Sequence, residues 1–281
     1  MFVVTGASGN IGRPLVEALA LAGEKVTAVS RNPLPYALPE GARHVRADLA
    51  DPVTLAPALE GAQALFLLLA GELLGGGAPA AQVLAAARGA GVRRVVLLSS
   101  QINGTRPDAL SHGRLREFED VVRSSGVDWT VLRPGGFASN AYAWSETVRT
   151  RRTVIAPFAD VALPVVDPAD IAEVAAVALR DEGHFGQTYE LTGPAPVTPR
   201  EQAAALSEAL GEQVGFVELT REQAREHMAR FMPEPVIEGT LDILGEPLPA
   251  EQRVSPDIEK VLGRPAGSFA GWARRHVHAF E

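Results

Sequence analysis

The fold is decided near the start of the chain by "FVVTGASGNIGRPLVEALA", residues 2–20. Its first residues are apolar and predict a strand, and a helix is predicted over about Asn10–Ala22. Between them lie Gly6, Gly9 and Gly12. Glycine permits a tight turn, leaves no Cβ in the way of a pyrophosphate, and lets helix and strand pack closely. The helix N-terminus offers unpaired N–H groups to phosphates. This stretch therefore predicts a strand–turn–helix unit that binds a dinucleotide.

Strand-like and helix-like segments alternate through the first half of the chain. The predicted strands after the first are short and rich in Val and Leu: "KVTAVSR", "RHVRADL", "AQALFLLLA", "RRVVLLSS" and "DWTVLRPG". Such strands are typical of a parallel sheet covered on both faces. Further helices are predicted over about 79–90, 112–125 and 168–180.

The alternation predicts an α/β fold, a doubly wound parallel-sheet Rossmann fold with a smaller, mostly helical C-terminal substrate-binding part. The predicted NAD(P)-binding domain covers residues 1–150, with 165–195 returning to it. The helical part covers 196–281 and packs against it.

Composition narrows the class of protein. The 281 residues are 46% apolar, which indicates a globular chain, and the net charge of -8 disfavours nucleic acid and anionic membranes as partners. Absence of cysteine excludes thiolate metal ligands and a cysteine nucleophile, and no metal site is predicted. The longest apolar run is shorter than the ~20 residues of a membrane helix. We expect a cytoplasmic monomer or homodimer with a small-molecule partner.

The glycine spacing G-x-x-G-x-x-G in "TGASGNIG" resembles the atypical and extended short-chain dehydrogenases/reductases. Five further segments, in order along the chain, resemble the NmrA-like branch of that superfamily: "SRNP", "ADLAD", "GVRRVVLLSS", "SGVDWTVLRPGGFASN" and "GRPAGSFAGWARRHVHAF". The resemblance covers nearly the whole chain and implies a Rossmann fold that binds NAD(P).

The second strand bears on the choice of cofactor. A site that prefers NAD usually ends this strand with Asp or Glu, whereas this chain has Ser30 and Arg31 there. The guanidinium fork of Arg31 suits a 2′-phosphate, so NADP(H) is preferred and NAD(H) is possible. The alternative is a solvated surface arginine. The predicted cofactor-binding residues are Gly6, Ser8, Gly9, Asn10, Ile11, Gly12, Arg31, Asp48, Leu49, Leu69, Ala70 and Pro134.

The usual catalytic pair of the superfamily, Tyr-x-x-x-Lys, is missing from this chain. On the expected helix, His112 and Arg116 share its spacing and one helical face. His112 is a candidate proton donor, and Arg116, or Arg114 if the register differs, is a candidate group for holding the ribose or a substrate anion. Alternatively, His112 caps the helix and Arg116 pairs with Asp120. Two serines end the fifth strand, where the resemblance places a catalytic hydroxyl: Ser99 and Ser100.

Substrate contacts are predicted after the fifth and sixth strands and in the C-terminal part. The candidates are Gln101, Phe137, Asn140, Tyr142, Trp144, Met228, Phe231 and Met232. The aromatic residues suit the wall of a cleft, and soft methionines suit a lid over a flat apolar ligand. For the methionines, burial in the core is the competing interpretation.

Two functions follow from these observations. The first is an NADP-dependent oxidoreductase acting on a small carbonyl, quinone or polycyclic aromatic compound, including tailoring of aromatic natural products. The second is a non-catalytic NADP-sensing regulator of the NmrA-like type that binds a protein partner. Loss of the Tyr/Lys pair favours the sensor, and the aromatic cleft candidates favour the enzyme.

Overall fold

The structure is a computed structural model that describes residues 1–69, 71–230, 232 and 234–281. The predicted sites Ala70 and Phe231 lie outside the described residues. The strands are β1 (Phe2–Thr5), β2 (Val26–Ser30), β3 (Ala42–Arg46), β4 (Ala64–Leu68), β5 (Arg94–Leu98), β6 (Asp128–Pro134), β7 (Thr153–Pro157), β8 (Gln187–Leu191) and β9 (Gly215–Leu219).

The α-helices are α1 (Gly12–Leu21), α2 (Ala56–Leu59), α3 (Ala80–Gly89), α4 (Ile102–Thr105), α5 (Gly113–Ser124), α6 (Ser145–Arg151), α7 (Pro168–Arg180), α8 (Pro199–Leu210), α9 (Arg221–Met228), α10 (Glu234–Gly245), α11 (Asp257–Leu262) and α12 (Phe269–Arg275). Short 3₁₀ turns occur at Pro52–Leu55, Gly71–Leu74, Leu110–His112, Ala138–Trp144 and Val277–Ala279. Among the described residues, no helix has the length and apolar character needed to cross a bilayer.

Seven strands form one sheet in the order β3-β2-β1-β4-β5-β6-β8. The pairings from β3 to β6 are parallel, and Val3 at the centre of β1 lies opposite Thr27 on one side and Leu65 on the other. The strand order reverses between β1 and β4, and ligands of open α/β sheets bind outside the carboxyl ends of the strands at such a point. The predicted doubly wound fold is confirmed, and its switch point lies beside the glycine loop.

The chain divides into two compact units. Unit 1 comprises Met1–Gly104, His112–Pro134 and Pro168–Glu190, and unit 2 comprises Thr105–Ser111, Gly135–Asp167 and Leu191–Glu281. The predicted boundary at residue 150 does not coincide with this division, because the chain leaves unit 1 after Pro134.

Unit 1 contains the large sheet and the helices that cover it. Every residue of β1 and β2 is buried, and α1 buries Leu15, Val16 and Leu19. Helix α7 packs against α1 and spans the predicted range. Both faces of the central strands are therefore covered, as their continuous apolar sequences require.

Unit 2 contains a small parallel sheet as well as helices. Its core gathers aromatic and aliphatic side chains, including Phe269, Trp272 and Phe280. Strands β7 and β9 pair in parallel, with Thr153 opposite Gly215. Residues 196–281 contain α8 to α12, so the predicted mostly helical C-terminal part is confirmed, with β9 as a strand that the sequence did not predict. Helix α8 begins after Thr198, which forms a reciprocal capping box with Glu201.

Candidate active site

The three glycines of the first loop have three different structural roles. Gly6 has φ of +66°, a conformation that side chains rarely adopt. At Gly12 an added Cβ would lie 2.2 Å from the Gly6 carbonyl oxygen, so only glycine permits this close approach of helix and loop. At Gly9 an added Cβ would meet a single atom within 4 Å among the described residues beyond its chain neighbours, the Gly6 oxygen at 3.3 Å. The backbone at Gly9 is thus left open toward the cleft that it lines.

This loop opens onto a cleft of about 190 Å³ in unit 1. Seven predicted cofactor residues line it: Gly6, Ser8, Gly9, Asn10, Arg31, Asp48 and Leu49. Six further residues complete the lining: Thr5, Val29, Ser30, Ala47, Leu68 and Leu73. The structure therefore brings together, at the switch point of the sheet, most of the residues that the sequence assigns to the cofactor.

Four other predicted cofactor residues do not line this cleft. Ile11 is 1% exposed and belongs to the core, and Gly12 serves the helix–loop contact. Leu69 is buried in the apolar cluster of the sheet. Pro134 is buried at the end of β6, where its carbonyl accepts a hydrogen bond from the Gln101 N–H at 2.9 Å.

Hydrogen bonds fix the rim of the cleft. Tyr36 donates its hydroxyl proton to the Ala7 carbonyl at 2.7 Å, and the Arg13 guanidinium lies over the Tyr36 ring at 4.8 Å. Arg13 also pairs with Glu17 at 2.9 Å. These contacts give Arg13, which follows the glycine loop, a structural role at the start of α1.

The charges around the cleft suit an anion. Helix α1 begins at Gly12 with no acidic residue in its first turn, so its N–H groups and positive dipole end are not neutralised locally. Arg31 is exposed at the rim and makes no ion pair within the described part of the chain. Asp48 has a partner in its own turn, since its carboxylate accepts from the Ala50 N–H at 2.9 Å.

These features together fit a dinucleotide. A backbone without Cβ at Gly9, a helix N-terminus and an exposed guanidinium face a cleft at the switch point of a parallel sheet. Pyrophosphate needs the first two, and a 2′-phosphate matches the third. The fold and the cleft define a Rossmann-type protein that binds a nicotinamide dinucleotide.

Two of the candidate catalytic residues, His112 and Arg116, lie at the start of helix α5. His112 occupies the N-cap position of α5, as the capping interpretation predicts, but its side chain makes no capping hydrogen bond. Both His112 and Arg116 are half-buried. Burial lowers the pKa of His112, and the positive charge of Arg116 lowers it further. The two side chains are therefore close enough to interact electrostatically, as their spacing predicts.

Ser99 belongs to a buried hydrogen-bond network around Glu119, a residue of α5 that is 1% exposed. The Ser99 hydroxyl donates to the Glu119 carboxylate and accepts from Asn103 Nδ2 at 2.9 Å. Arg133 donates from Nη2 to Glu119 at 2.6 Å, and Arg123 donates from Nη1 at 2.6 Å. Because its proton is already donated to Glu119, Ser99 is poorly suited to donate a hydrogen bond to a substrate.

The neighbouring Ser100 has a different environment. It is half-buried, and its oxygen accepts from the Ile102 N–H at 3.2 Å. No described group accepts its proton, so this hydroxyl can donate to a ligand. Gln101 is 4% exposed, which places its side chain in the interior.

The remaining substrate candidates belong to unit 2. Tyr142 hydrogen-bonds His276 Nδ1 at 2.8 Å and packs edge-on against Trp272 with ring centroids 5.1 Å apart. Trp144 packs on the same core cluster. Phe137 pairs with Val166 through the backbone, and Asn140 is exposed.

The two methionines predicted for a lid are explained by packing. Met228 and Met232 contact a small cluster formed by Ala224, Ile237 and Leu241. This arrangement matches the core interpretation of these residues.

The comparisons with known proteins agree with this geometry. A family model described as NAD(P)H-binding matches residues 6–182. A curated (4-alkanoyl-5-oxo-2,5-dihydrofuran-3-yl)methyl phosphate reductase from Streptomyces griseus is 37% identical, over 100% of this chain and 99% of the relative. An NAD(P)H azoreductase from Xenophilus azovorans is 33% identical, also over 100% and 99%.

Among solved structures, an NADPH-dependent quinone oxidoreductase from Escherichia coli in complex with NADPH superposes with a TM-score of 0.79. It is 27% identical, and the superposition covers 98% of this chain and 99% of that one. The chain belongs to the NAD(P)H-binding family. The resemblance to NmrA-like, atypical short-chain dehydrogenases/reductases is confirmed.

The sequence interpretation missed the buried network, because its members are ordinary polar residues far apart in the chain. Glu119 is separated by 20 residues from Ser99 and by 14 from Arg133. One signal was available: Glu119 follows Arg116 by three residues and precedes Arg123 by four, so it lies on the same helical face. A carboxylate on the inward face of a helix is rarely buried without a partner.

Proposed function

We propose that this protein, a nicotinamide-dependent oxidoreductase, reduces a small conjugated carbonyl compound such as a quinone with NADPH. The observation that carries the proposal is the cleft of unit 1, where the open backbone at Gly9 and the exposed Arg31 face one cavity. The bound cofactor supplies the hydride, and the chain supplies binding, orientation and a proton.

Preference for NADP(H) over NAD(H) rests on the end of β2. Arg31 lines the cleft where a site selective for NAD carries an acidic side chain. A planar guanidinium pairs with a phosphate in two hydrogen bonds, whereas a ribose hydroxyl offers it much less. The quinone oxidoreductase with a TM-score of 0.79 holds NADPH, which supports this choice.

The proposed proton donor is His112, with Arg116 beside it. Because burial and Arg116 lower the pKa of His112, only its protonated fraction can act as a general acid, and that fraction grows as the pH falls. Arg116 cannot relay protons and instead holds an anionic group of cofactor or substrate. The Ser100 hydroxyl orients the acceptor oxygen.

The relatives support the choice of acceptor. Their names describe reduction of a quinone, of an azo compound and of a dihydrofuranone phosphate. Quinones and such furanones have an electron-poor conjugated system that accepts hydride readily. We propose polycyclic aromatic compounds and intermediates of natural products as further acceptors of the same reaction. Phe137, Asn140, Tyr142 and Trp144 are proposed to contact the substrate.

The test is oxidation of NADPH followed by stopped-flow absorbance with a panel of benzoquinones, naphthoquinones, azo dyes and unsaturated lactones. Turnover of at least one acceptor class, faster with NADPH than with NADH, supports the proposal. Tight NADPH binding with no turnover on the whole panel favours a cofactor-sensing regulator instead.

A further inference from the structure

A buried carboxylate with no part in the proposed chemistry lies within unit 1. Glu119 is 1% exposed, and it receives hydrogen bonds from side chains of four residues. Those donors are Ser99 after β5, Asn103 on α4, Arg123 on α5 and Arg133 on β6. A buried charge is costly unless it is paired and hydrogen-bonded, and this one is fully engaged.

The network connects the candidate catalytic helix to the sheet edge. Within α5, Arg116, Glu119 and Arg123 are three and four residues apart and lie on one face, and His112 is the N-cap residue four positions before Arg116. Glu119 ties this face to the carboxyl ends of β5 and β6 through Ser99 and Arg133. Both ties are charge-assisted hydrogen bonds, which are stronger and more directional than neutral ones.

The fit around Arg133 leaves little room for an alternative arrangement. An added Cβ at Gly104 would lie 2.8 Å from Arg133 Nη1, so the guanidinium packs directly against the backbone of α4. Asn103 Nδ2 donates to both Ser99 Oγ at 2.9 Å and Glu119 Oε1 at 3.2 Å. The Glu119 carboxylate thus fixes the positions of α4, α5, β5 and β6 relative to one another.

We propose that Glu119 is a positioning residue for the reaction: its charge fixes the face of α5 that presents His112 and Arg116. It also keeps the Ser99 proton turned inward, which leaves Ser100 as the serine that reaches the acceptor. This inference rests on the proposed function, in which His112 is the proton donor. Gln in place of Glu119 removes the charge that pairs with both arginines and introduces N–H donors that face them.

The experiment compares wild type with Glu119→Gln, Glu119→Asp and Asp120→Asn. Asp120 is exposed on the same helix, so its variant controls for loss of one negative charge on α5. Each protein is assayed for NADPH affinity by fluorescence and for turnover with menadione, at a temperature well below its own melting point.

Glu119→Gln is expected to retain NADPH affinity within about twofold and to lose about tenfold or more in kcat, since small displacements of reacting groups cost large factors in rate. Glu119→Asp keeps the charge and is expected to recover part of the loss, and Asp120→Asn behaves as wild type. A purely structural role lowers the melting point and leaves kcat unchanged, and that result overturns the proposal.

If Glu119→Gln does not fold, Asn103→Ala takes its place, because it removes one bridge to Ser99 and leaves both arginine pairs. It is expected to lower kcat about threefold with unchanged NADPH affinity, and an unchanged kcat overturns the proposal.

Hydrogen–deuterium exchange of residues 113–118 separates this inference from the proposed function. Faster exchange in Glu119→Gln, but not in Asp120→Asn, supports positioning of α5 even where the wild type turns over no acceptor. Unchanged exchange in that variant overturns it. If the wild type turns over an acceptor and Glu119→Gln shows the same kcat and the same exchange, Glu119 has no positioning role and the proposed function still stands.

Discussion

Replacement of Glu119 by Gln should make the stability of the protein less dependent on pH. Burial raises the pKa of Glu119, but hydrogen bonds from Arg133, Ser99 and Arg123 and the charge of Arg133 outweigh it and lower the pKa from 4.5 to about 2. A carboxylate whose pKa is lower in the folded state stabilises the protein above its unfolded pKa. That stabilisation is lost as the pH falls from about 4.5 toward 2.

The size of the effect follows from the difference between the two pKa values. A gap of about 2.5 units corresponds to roughly 3 kcal/mol at neutral pH, an order-of-magnitude figure. For a chain of this size, that loss corresponds to a fall of roughly 6–12 °C in the melting temperature. The Gln variant should therefore melt well below wild type at pH 7, and the gap should narrow at acidic pH.

The assay is thermal unfolding of both proteins, followed by circular dichroism at a series of pH values from neutral to the lowest at which wild type is folded. Asp120→Asn serves as the control and should follow wild type throughout. A gap between Glu119→Gln and wild type that stays constant across the series would refute the assigned pKa and the network behind it.

Three further predictions concern the cleft and the chemistry. Gly9→Val should fold after a shift of a few tenths of an ångström at the Gly6 carbonyl, whose oxygen would lie 3.3 Å from the new Cβ, yet lose NADPH binding in calorimetric titration; normal binding would exclude this loop as the phosphate site. Arg31→Ala should weaken the binding of NADPH and leave the binding of NADH unchanged in the same titration. An equal loss of affinity for both cofactors would remove the role of Arg31 at the 2′-phosphate. His112→Ala should lose about 10²- to 10⁴-fold in turnover. In wild type, turnover should rise as the pH falls through a pKa below 6.5, and this dependence should vanish in the variant; a fully active variant would end the assignment.

The glycine loop and the central strands could be predicted from sequence because each is specified by a short continuous stretch of the chain. The glycine loop and the helix after it are specified within about twenty residues, and each buried parallel strand has its own apolar run. Helix α7 and the Thr198 cap were likewise readable from periodicity and capping residues.

The missed features depend on contacts between distant segments. Strand β9 pairs with β7 through Thr153 and Gly215, and β9 itself is mostly exposed, so it lacks the apolar run of a central strand. The Glu119 network likewise joins residues from Ser99 to Arg133 that only the tertiary fold brings together. Ser99 was assigned to the reaction from its position at the end of β5, and only its hydrogen bonds indicate a framework role.

The central claim is that the cleft of unit 1 binds NADPH and that the protein uses it to reduce a conjugated acceptor. Stopped-flow measurement of NADPH and NADH oxidation in the presence of naphthoquinones, with wild type and Arg31→Ala side by side, tests this claim most directly. We predict acceptor-dependent oxidation that is faster with NADPH in wild type, and loss of that preference in Arg31→Ala. Oxidation of neither cofactor by any acceptor, or an unchanged preference in the variant, would contradict the account.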